Sequence, residues 1–250
     1  MSKTPKYPIY DNGQLHLSIS KGNIKVGCIP QFNTLPGKDP LMSKKGELLT
    51  NIEGTCGDLC ENCKATCYAI KCALFRHSTI IPAWAKNTYI LRNDPEKVRK
   101  EINEFIKKNI VKYFRFHTSG EIENVAHLKL YCDICNDNPD VVFYMYTKNF
   151  QAIYDLFIYE GEEKPSNFVI NLSEWHGNIR KFYASLDNSS IKFFNSLNEF
   201  AYDDGAEECG NIISYVHCPA VNQRGHETGV TCAMCRRCMT QGKRTAVYAH

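Results

Sequence analysis

Cys56, Cys60, Cys63 and Cys67 fall within twelve residues, in the run Cys56-Gly57-Asp58-Leu59-Cys60-Glu61-Asn62-Cys63-Lys64-Ala65-Thr66-Cys67. Gly54 and Gly57 let the backbone turn tightly there, so the run reads as a loop that wraps its thiolates around one object. Bystander thiols occur singly, whereas four at this spacing point to a metal. The first three read C-x3-C-x2-C, which suits three corners of a 4Fe-4S cube and leaves the fourth iron open. Zinc normally takes its ligands as two close pairs. Two ligand sets fit the run: Cys56, Cys60 and Cys63, or Cys56, Cys63 and Cys67 with Cys60 spare. If all four bind, the cluster is closed and carries electrons; a spare thiol leaves an iron open for catalysis.

The chain has thirteen cysteines in 250 residues, an odd number without the look of a disulfide scaffold. Met1 to Lys6 lacks an apolar signal stretch, and no run approaches the ~18 apolar residues that span a membrane. The expectation is therefore a cytoplasmic protein with no membrane partner, in which reduced, clustered thiols bind metal. A net charge of +3 is too small to argue for nucleic acid, and a hydrophobic share of 43% argues against disorder.

No repeat, linker or low-complexity tract divides the chain, so one domain over residues 1–250 is expected, with residues 1–24 as an N-terminal arm. Lys25 to Asn33 reads as a first strand and residues 34–55 as a long loop leading into the cysteines. Tyr68 to Ser78 and Ile81 to Leu91 follow as apolar segments. Pro95 to Asn109 reads as a helix, with Val98, Ile102, Phe105 and Ile106 on one face, Asp94 as N-cap and Pro95 in the first turn. Strands are expected at Val111–Thr118, Val141–Thr147 and Phe168–Leu172, with helices at Ile122–Cys135 and Phe150–Tyr159 between them. A short strand is expected within Lys192–Leu197 and a later one at Ile212–His217. Strands alternating with helices predict an α/β fold: a parallel sheet with flanking helices, forming a partial (β/α) barrel, plus a Cys-rich C-terminal segment.

In such sheets ligands sit at the carboxyl ends of the strands. Arg115, His117, Ser119, Gly120 and Glu121 end one strand, Lys148 follows the next, and Asn171 and Ser173 end the third. Arg115, His117 and Lys148 are polar on apolar strands, which is costly unless each is paired or meets a ligand. Near the C-terminus, Cys218-Pro219 and the run Cys232, Cys235, Cys238 form a second metal-binding set over residues 218–238. Either a second 4Fe-4S cluster or structural zinc fits it, the zinc using the four cysteines or borrowing His226. Cys28, Cys72, Cys132, Cys135 and Cys209 read as small core residues.

C-x3-C-x2-C ahead of a parallel α/β sheet, with Ser119-Gly120-Glu121 after the next strand, resembles a compact radical S-adenosylmethionine enzyme. That resemblance implies three cysteines on a cluster whose open iron chelates the methionine moiety, with the Ser119–Glu121 turn accepting its amino group. Asn62 stands where that superfamily usually has an aromatic. More of the chain is similar to the phage gene-product-88-like family: Cys56 to Ala69, Asn87 to Asn93, Arg115 to Glu121, Tyr146 to Lys148, and the Cys218–Cys238 tail. Its cluster motif ends Cys-Tyr-Ala, here Cys67-Tyr68-Ala69, which implies Cys67 as a ligand and Cys60 as the variable thiol. A phage or prophage origin is implied, and hence the host cytoplasm.

The expected function is reductive cleavage of S-adenosylmethionine and hydrogen abstraction from a substrate, served by an electron donor. Ser119, Gly120, Glu121, Asn171 and Ser173 would hold that cofactor, and Arg115, His117 and Lys148 would face substrate. The alternatives are a non-enzymatic iron–sulfur electron-transfer or binding protein, and a zinc-stabilised protein that binds nucleic acid or a host partner.

Overall fold

The computed structural model describes residues 4–11, 13–24, 26–60, 63–175, 177–202, 215–222 and 226–247. Its strands are β1 (Ile19–Ser20), β2 (Gln31–Phe32), β3 (Tyr113–Phe116), β4 (Val142–Thr147), β5 (Phe168–Ser173), β6 (Asn198–Tyr202), β7 (Val216–His217) and β8 (Arg244–Val247). They form one sheet in the order β1-β2-β3-β4-β5-β6-β8-β7. β1 runs antiparallel to β2, and every other pairing is parallel. The α/β class and the parallel sheet are therefore as the alternating pattern predicts.

The helices are α1 (Tyr68–Phe75), α2 (His77–Asn93), α3 (Pro95–Asn109), α4 (Val125–Asp137), α5 (Phe150–Tyr154), α6 (Asn178–Tyr183) and α7 (Asn188–Asn195). In α3, Val98, Ile102 and Ile106 recur every fourth residue and are buried, while the Asp94 side chain accepts from Lys97 N and caps the helix. α4 begins later than expected because Asn124 caps it, accepting from His127 N. α5 continues through Asp155–Tyr159 as a wider π turn, closed by Glu160 N donating to Asp155 O. The strand expected within Lys192–Leu197 is instead the end of α7. Asp187 caps that helix, and Ser190 and Phe194, one turn apart, are buried; the strand begins only at Asn198. Lys25 to Asn33 supplies only the two-residue β2, and residues 212–214 of the expected late strand lie outside the described residues.

The two sheet faces carry different cores. Phe114, Phe116, Phe143, Met145, Phe168, Ile170 and Leu172 join the buried faces of the helices in the main core. On the opposite face, Tyr144 and Val169 pack with Val26, Ile29 and Met239, and half-buried Tyr146, Cys232 and Ala233 complete the cluster. All six residues of β5 are buried because both faces are covered. The second cover is not a helix layer. It is the C-terminal cysteine segment together with residues 26–29, joined by Ala233 N donating to Val26 O.

A third cluster explains the long loop at residues 34–55. Leu35, Leu41 and Leu49 are buried against Ala73, Ile81 and Ala85 of α1 and α2. The loop is thus a packed layer ending at Cys56. Cys132 and Cys135 are buried as expected, whereas Cys28 is exposed and Cys72 only half-buried, so neither of these is a core residue. Cys28 follows a glycine turn, and Cys72 lies on the outer side of a short helix whose buried positions are Ala69 and Ala73. Cys209 lies outside the described residues.

Candidate metal centre at the strand-end rim

Thr55 and Cys56 are delivered to the rim by backbone pairing with the packed loop. Thr55 N donates to Leu35 O at 2.9 Å and Cys56 N to Gly37 O at 3.0 Å. Gly54 is required by this approach, since a Cβ there would lie 2.3 Å from Gly37 O. The Thr55 hydroxyl then reaches the turn after β3. It shares a 2.8 Å hydrogen bond with Thr34 Oγ1 and accepts from Glu121 N at 2.9 Å. Gly120 has φ +84°, and a Cβ on it would lie 1.9 Å from Thr34 Oγ1. Glycine here allows the turn to close on the two threonines.

Within the cysteine run, Gly57–Cys60 forms a 3-10 turn and Cys67 leads into α1, with Lys71 N donating to Cys67 O. The Cys60 side chain lies outside what is described. The Tyr68 hydroxyl donates to Thr118 O at 2.7 Å, so the end of the run is tied to the end of β3. Burial pushes the Cys56 thiol up to about 12; Glu121 and Cys67 push the same way, and Lys148 opposes them. Cys67, Glu121 and Lys148 therefore all act on Cys56 at the rim, and the 65 and 92 residues that separate Cys56 from Glu121 and Lys148 hide those two relations from sequence spacing. The eleven described cysteines are all outside disulfides. Among the described residues, no three His, Cys, Asp or Glu side chains are grouped closely enough to hold a metal ion.

The other predicted site residues are placed as follows. Glu121 is buried; its Oε1 accepts from Ile122 N at 3.0 Å and its Oε2 from Lys148 N at 2.8 Å. Burial raises its pKa despite the nearby Lys148 ammonium. Ser119 Oγ donates to Thr34 O, and Ser119 N donates to Asn33 Oδ1. His117 is buried, sharing Nε2 with the Tyr131 hydroxyl at 2.8 Å and Nδ1 with Thr34 Oγ1 at 3.2 Å. Burial lowers its pKa to about 3, so the ring is neutral. The Lys148 ammonium lies 6.0 Å from the Trp175 ring centre. Ser173 is buried and its carbonyl accepts from Asn178 Nδ2.

Asn171 Nδ2 donates to Met145 O and to Cys238 O, both at 3.0 Å. It therefore ties the sheet to the C-terminal cysteines. In that segment, Cys232–Cys235 is one helical turn capped by Thr231, Cys238 sits in a 3-10 turn, and Cys218 N donates to Ala246 O beside β8. Burial raises the Cys238 thiol to about 11; the Tyr146 and Thr245 hydroxyls oppose the shift, and Cys218 and Cys232 add to it electrostatically. Cys218 and Cys232 are thus within electrostatic range of Cys238 on the second sheet face, although the three are not grouped closely enough to hold a metal ion. Cys235 is half-buried on the same turn, and His226 is exposed.

Thr34, Thr55, Tyr68 and Asn198 were not singled out from sequence. The adjacency of Thr55 and Tyr68 to the cysteine run was the available signal for two of them. Nothing local marks Thr34 or Asn198, the latter opening a strand that begins after the expected Lys192–Leu197 segment.

A family model described as Gene product 88 matches residues 31–241. The chain is also 24% identical over 212 residues to the Gene 88 protein of Mycobacterium phage D29, covering 78% of this chain and 82% of that one. No solved structure matches it. No helix among the described residues is long and apolar enough to cross a membrane.

Proposed function

Since the chain belongs to the Gene product 88 family, we propose that it is an iron–sulfur protein of radical S-adenosylmethionine type, with its first cluster on the Cys56–Cys67 loop. The observation that carries this is the seating of Cys56 at the carboxyl ends of the parallel strands, within the field of Cys67, Glu121 and Lys148. The donor chemistry supports this reading: the described thiols are outside disulfides, and a cluster iron beside the half-buried Cys56 would offset the burial that raises its thiol pKa. Cys56 and Cys63 would bind together with Cys60 or Cys67. A cluster bound there supplies the electron for reductive cleavage of S-adenosylmethionine and so for hydrogen abstraction from a substrate.

The chain's own contribution is positioning. Thr55 holds the Glu121 backbone, Tyr68 ties the loop to Thr118, and the packed loop at residues 34–55 shields the cluster side. Glu121, Ser119, Gly120, Asn171 and Ser173 are the proposed cofactor-side residues, and Arg115, His117 and Lys148 the substrate-side ones. In the same proposal the sheet curls as a partial barrel around the site. The C-terminal set Cys218, Cys232, Cys235 and Cys238 binds a second cluster or zinc, and the protein acts in the cytoplasm of a host cell.

A second function is favoured by specific contacts. Both Glu121 oxygens already accept backbone N–H groups, and Ser119 Oγ is spent on Thr34. A protein that kept the fold as a closed-cluster electron carrier has this arrangement. Anaerobic reconstitution, with assays of iron, sulfide and zinc, followed by electron paramagnetic resonance with S-adenosylmethionine, decides between them. Release of 5′-deoxyadenosine on reduction supports the enzyme. A bound cluster whose spectrum ignores S-adenosylmethionine supports the carrier, and zinc without iron or sulfide refutes both.

A further inference from the structure

On the sheet face opposite the helices, Gln31, Arg115 and Tyr144 stand side by side across β2, β3 and β4, in direct register. Gln31 is 2% exposed and Tyr144 fully buried, and Arg115 lies between them. Each has a buried polar atom that makes no hydrogen bond of good distance and angle: Gln31 Nε2, Arg115 Nε and Tyr144 Oη, the last lying close enough to the Arg115 guanidinium to interact with it. The Arg115 guanidinium packs on the Tyr146 ring at 4.6 Å and the Tyr144 ring at 5.7 Å, which fixes its plane. Among the described residues no carboxylate pairs with it; its strongest electrostatic neighbours are Tyr144, Tyr146, Tyr68 and Cys232. Gln31 is held by its other end, where Oε1 accepts from Thr118 Oγ1 at 2.6 Å, which leaves Nε2 as the donor without a partner.

Arg115 as a whole is half-buried, but three buried polar atoms without a partner in one row are costly unless something accepts their hydrogen bonds. All three atoms can donate. The common partner is an acceptor with negative charge and several lone pairs, and a guanidinium matches such oxyanions in plane. The geometry points to an oxyanion subsite at Gln31, Arg115 and Tyr144, which takes the carboxylate or phosphate group of a small molecule. This deepens the proposed function by naming the chemistry recognised at Arg115. It does not need the cluster, so failure of S-adenosylmethionine cleavage leaves it standing.

The test is nuclear magnetic resonance of the arginine Nε–H groups in the full-length protein, with the Arg115 signal assigned from Arg115→Lys. Acetate and inorganic phosphate are titrated separately against chloride at equal ionic strength, which distinguishes the two sources of the oxyanion. The Arg115 signal is expected to shift saturably with one or both. Tyr144→Phe and Gln31→Met, which keep volume and charge, should each weaken that anion by about tenfold, the size of one lost charge-assisted hydrogen bond. No saturable shift beyond chloride, or equal affinity in both variants, overturns the subsite. So does an Arg115 signal already shifted by zinc loading and then insensitive to both anions, since that assigns the guanidinium to thiolate charge at Cys232.

Discussion

Asn198 Nδ2 donates to Asn171 Oδ1 at 3.0 Å, across the registered pair that joins β6 to β5. Between them the two amides hold the cysteine-rich tail on the sheet. Asn171 donates to Cys238 O, Asn198 donates to Thr240 O, and Lys243 N donates to Asn198 Oδ1. The tail covers an aromatic sheet face against which none of α1–α7 packs, so this short ladder governs whether the second cysteine set keeps its place.

Asn171→Ala leaves Met145 O and Cys238 O without that donor, and is expected to cost about 1–3 kcal/mol per stranded buried group. Hydrogen exchange over residues 232–243 should accelerate in Asn171→Ala and in Asn198→Ala, more than exchange in α3. Uniform loss of protection along the chain would refute a local clamp.

Gly120→Ala places a Cβ 1.9 Å from Thr34 Oγ1 and 2.6 Å from Thr55 Oγ1 at φ +84°. Strain and overpacking together are expected to cost more than about 2 kcal/mol in urea unfolding. Gly161→Ala, at φ +72° with open space around it, meets the backbone strain alone and should lose clearly less.

His117 predicts a pH dependence of definite sign. Its pKa is about 3 in the folded protein, against about 6.5 for a free side chain. The unfolded chain therefore binds the extra proton first. Stability from this group is complete above about pH 6.5 and falls by about 1.4 kcal/mol per pH unit below it, until the folded ring also protonates. His127, also lowered by burial, acts in the same direction. Glu121, raised by burial, acts in the opposite one, its contribution being lost as pH rises through its folded pKa. Urea midpoints at pH 7, 6 and 5 should thus fall less steeply in His117→Asn than in wild type; parallel slopes would sink the assignment.

The cysteine loop gives a ligand-by-ligand prediction. After anaerobic reconstitution, Cys56→Ser and Cys63→Ser should lose the first cluster's share of iron and sulfide, whereas Cys72→Ser, which lies outside the ligand sets, should keep it. Of Cys60→Ser and Cys67→Ser, one retains iron if a thiol is spare. Loss in both marks a closed cluster.

Several elements were legible because their information is local. The i, i+4, i+8 spacing of Val98, Ile102 and Ile106 and the Asp94 cap specify α3 on their own. The apolar runs of β4 and β5 specify buried parallel strands. Asp187 and Phe194 carry the signal for α7, yet a short apolar run at Ile191–Phe194 suits either period, and packing against the main core decided for helix. Glu121 and Ser119 were legible as a polar turn, but their hydrogen-bond partners Thr55, Thr34 and Lys148 lie 27 to 85 residues away.

By itself, the sequence determined the α/β class, the cysteine run at residues 56–67 and its place ahead of the central strands β3, β4 and β5, because ligand spacing and hydrophobic period are properties of neighbouring residues. Only the tertiary structure decided which thiol sits half-buried within the field of Glu121 and which strand residues clamp the tail. It also decided that Gln31, Arg115 and Tyr144 form one row. Those relations depend on strand register and on the approach of distant loops, where each contact is set by the packing of the whole sheet.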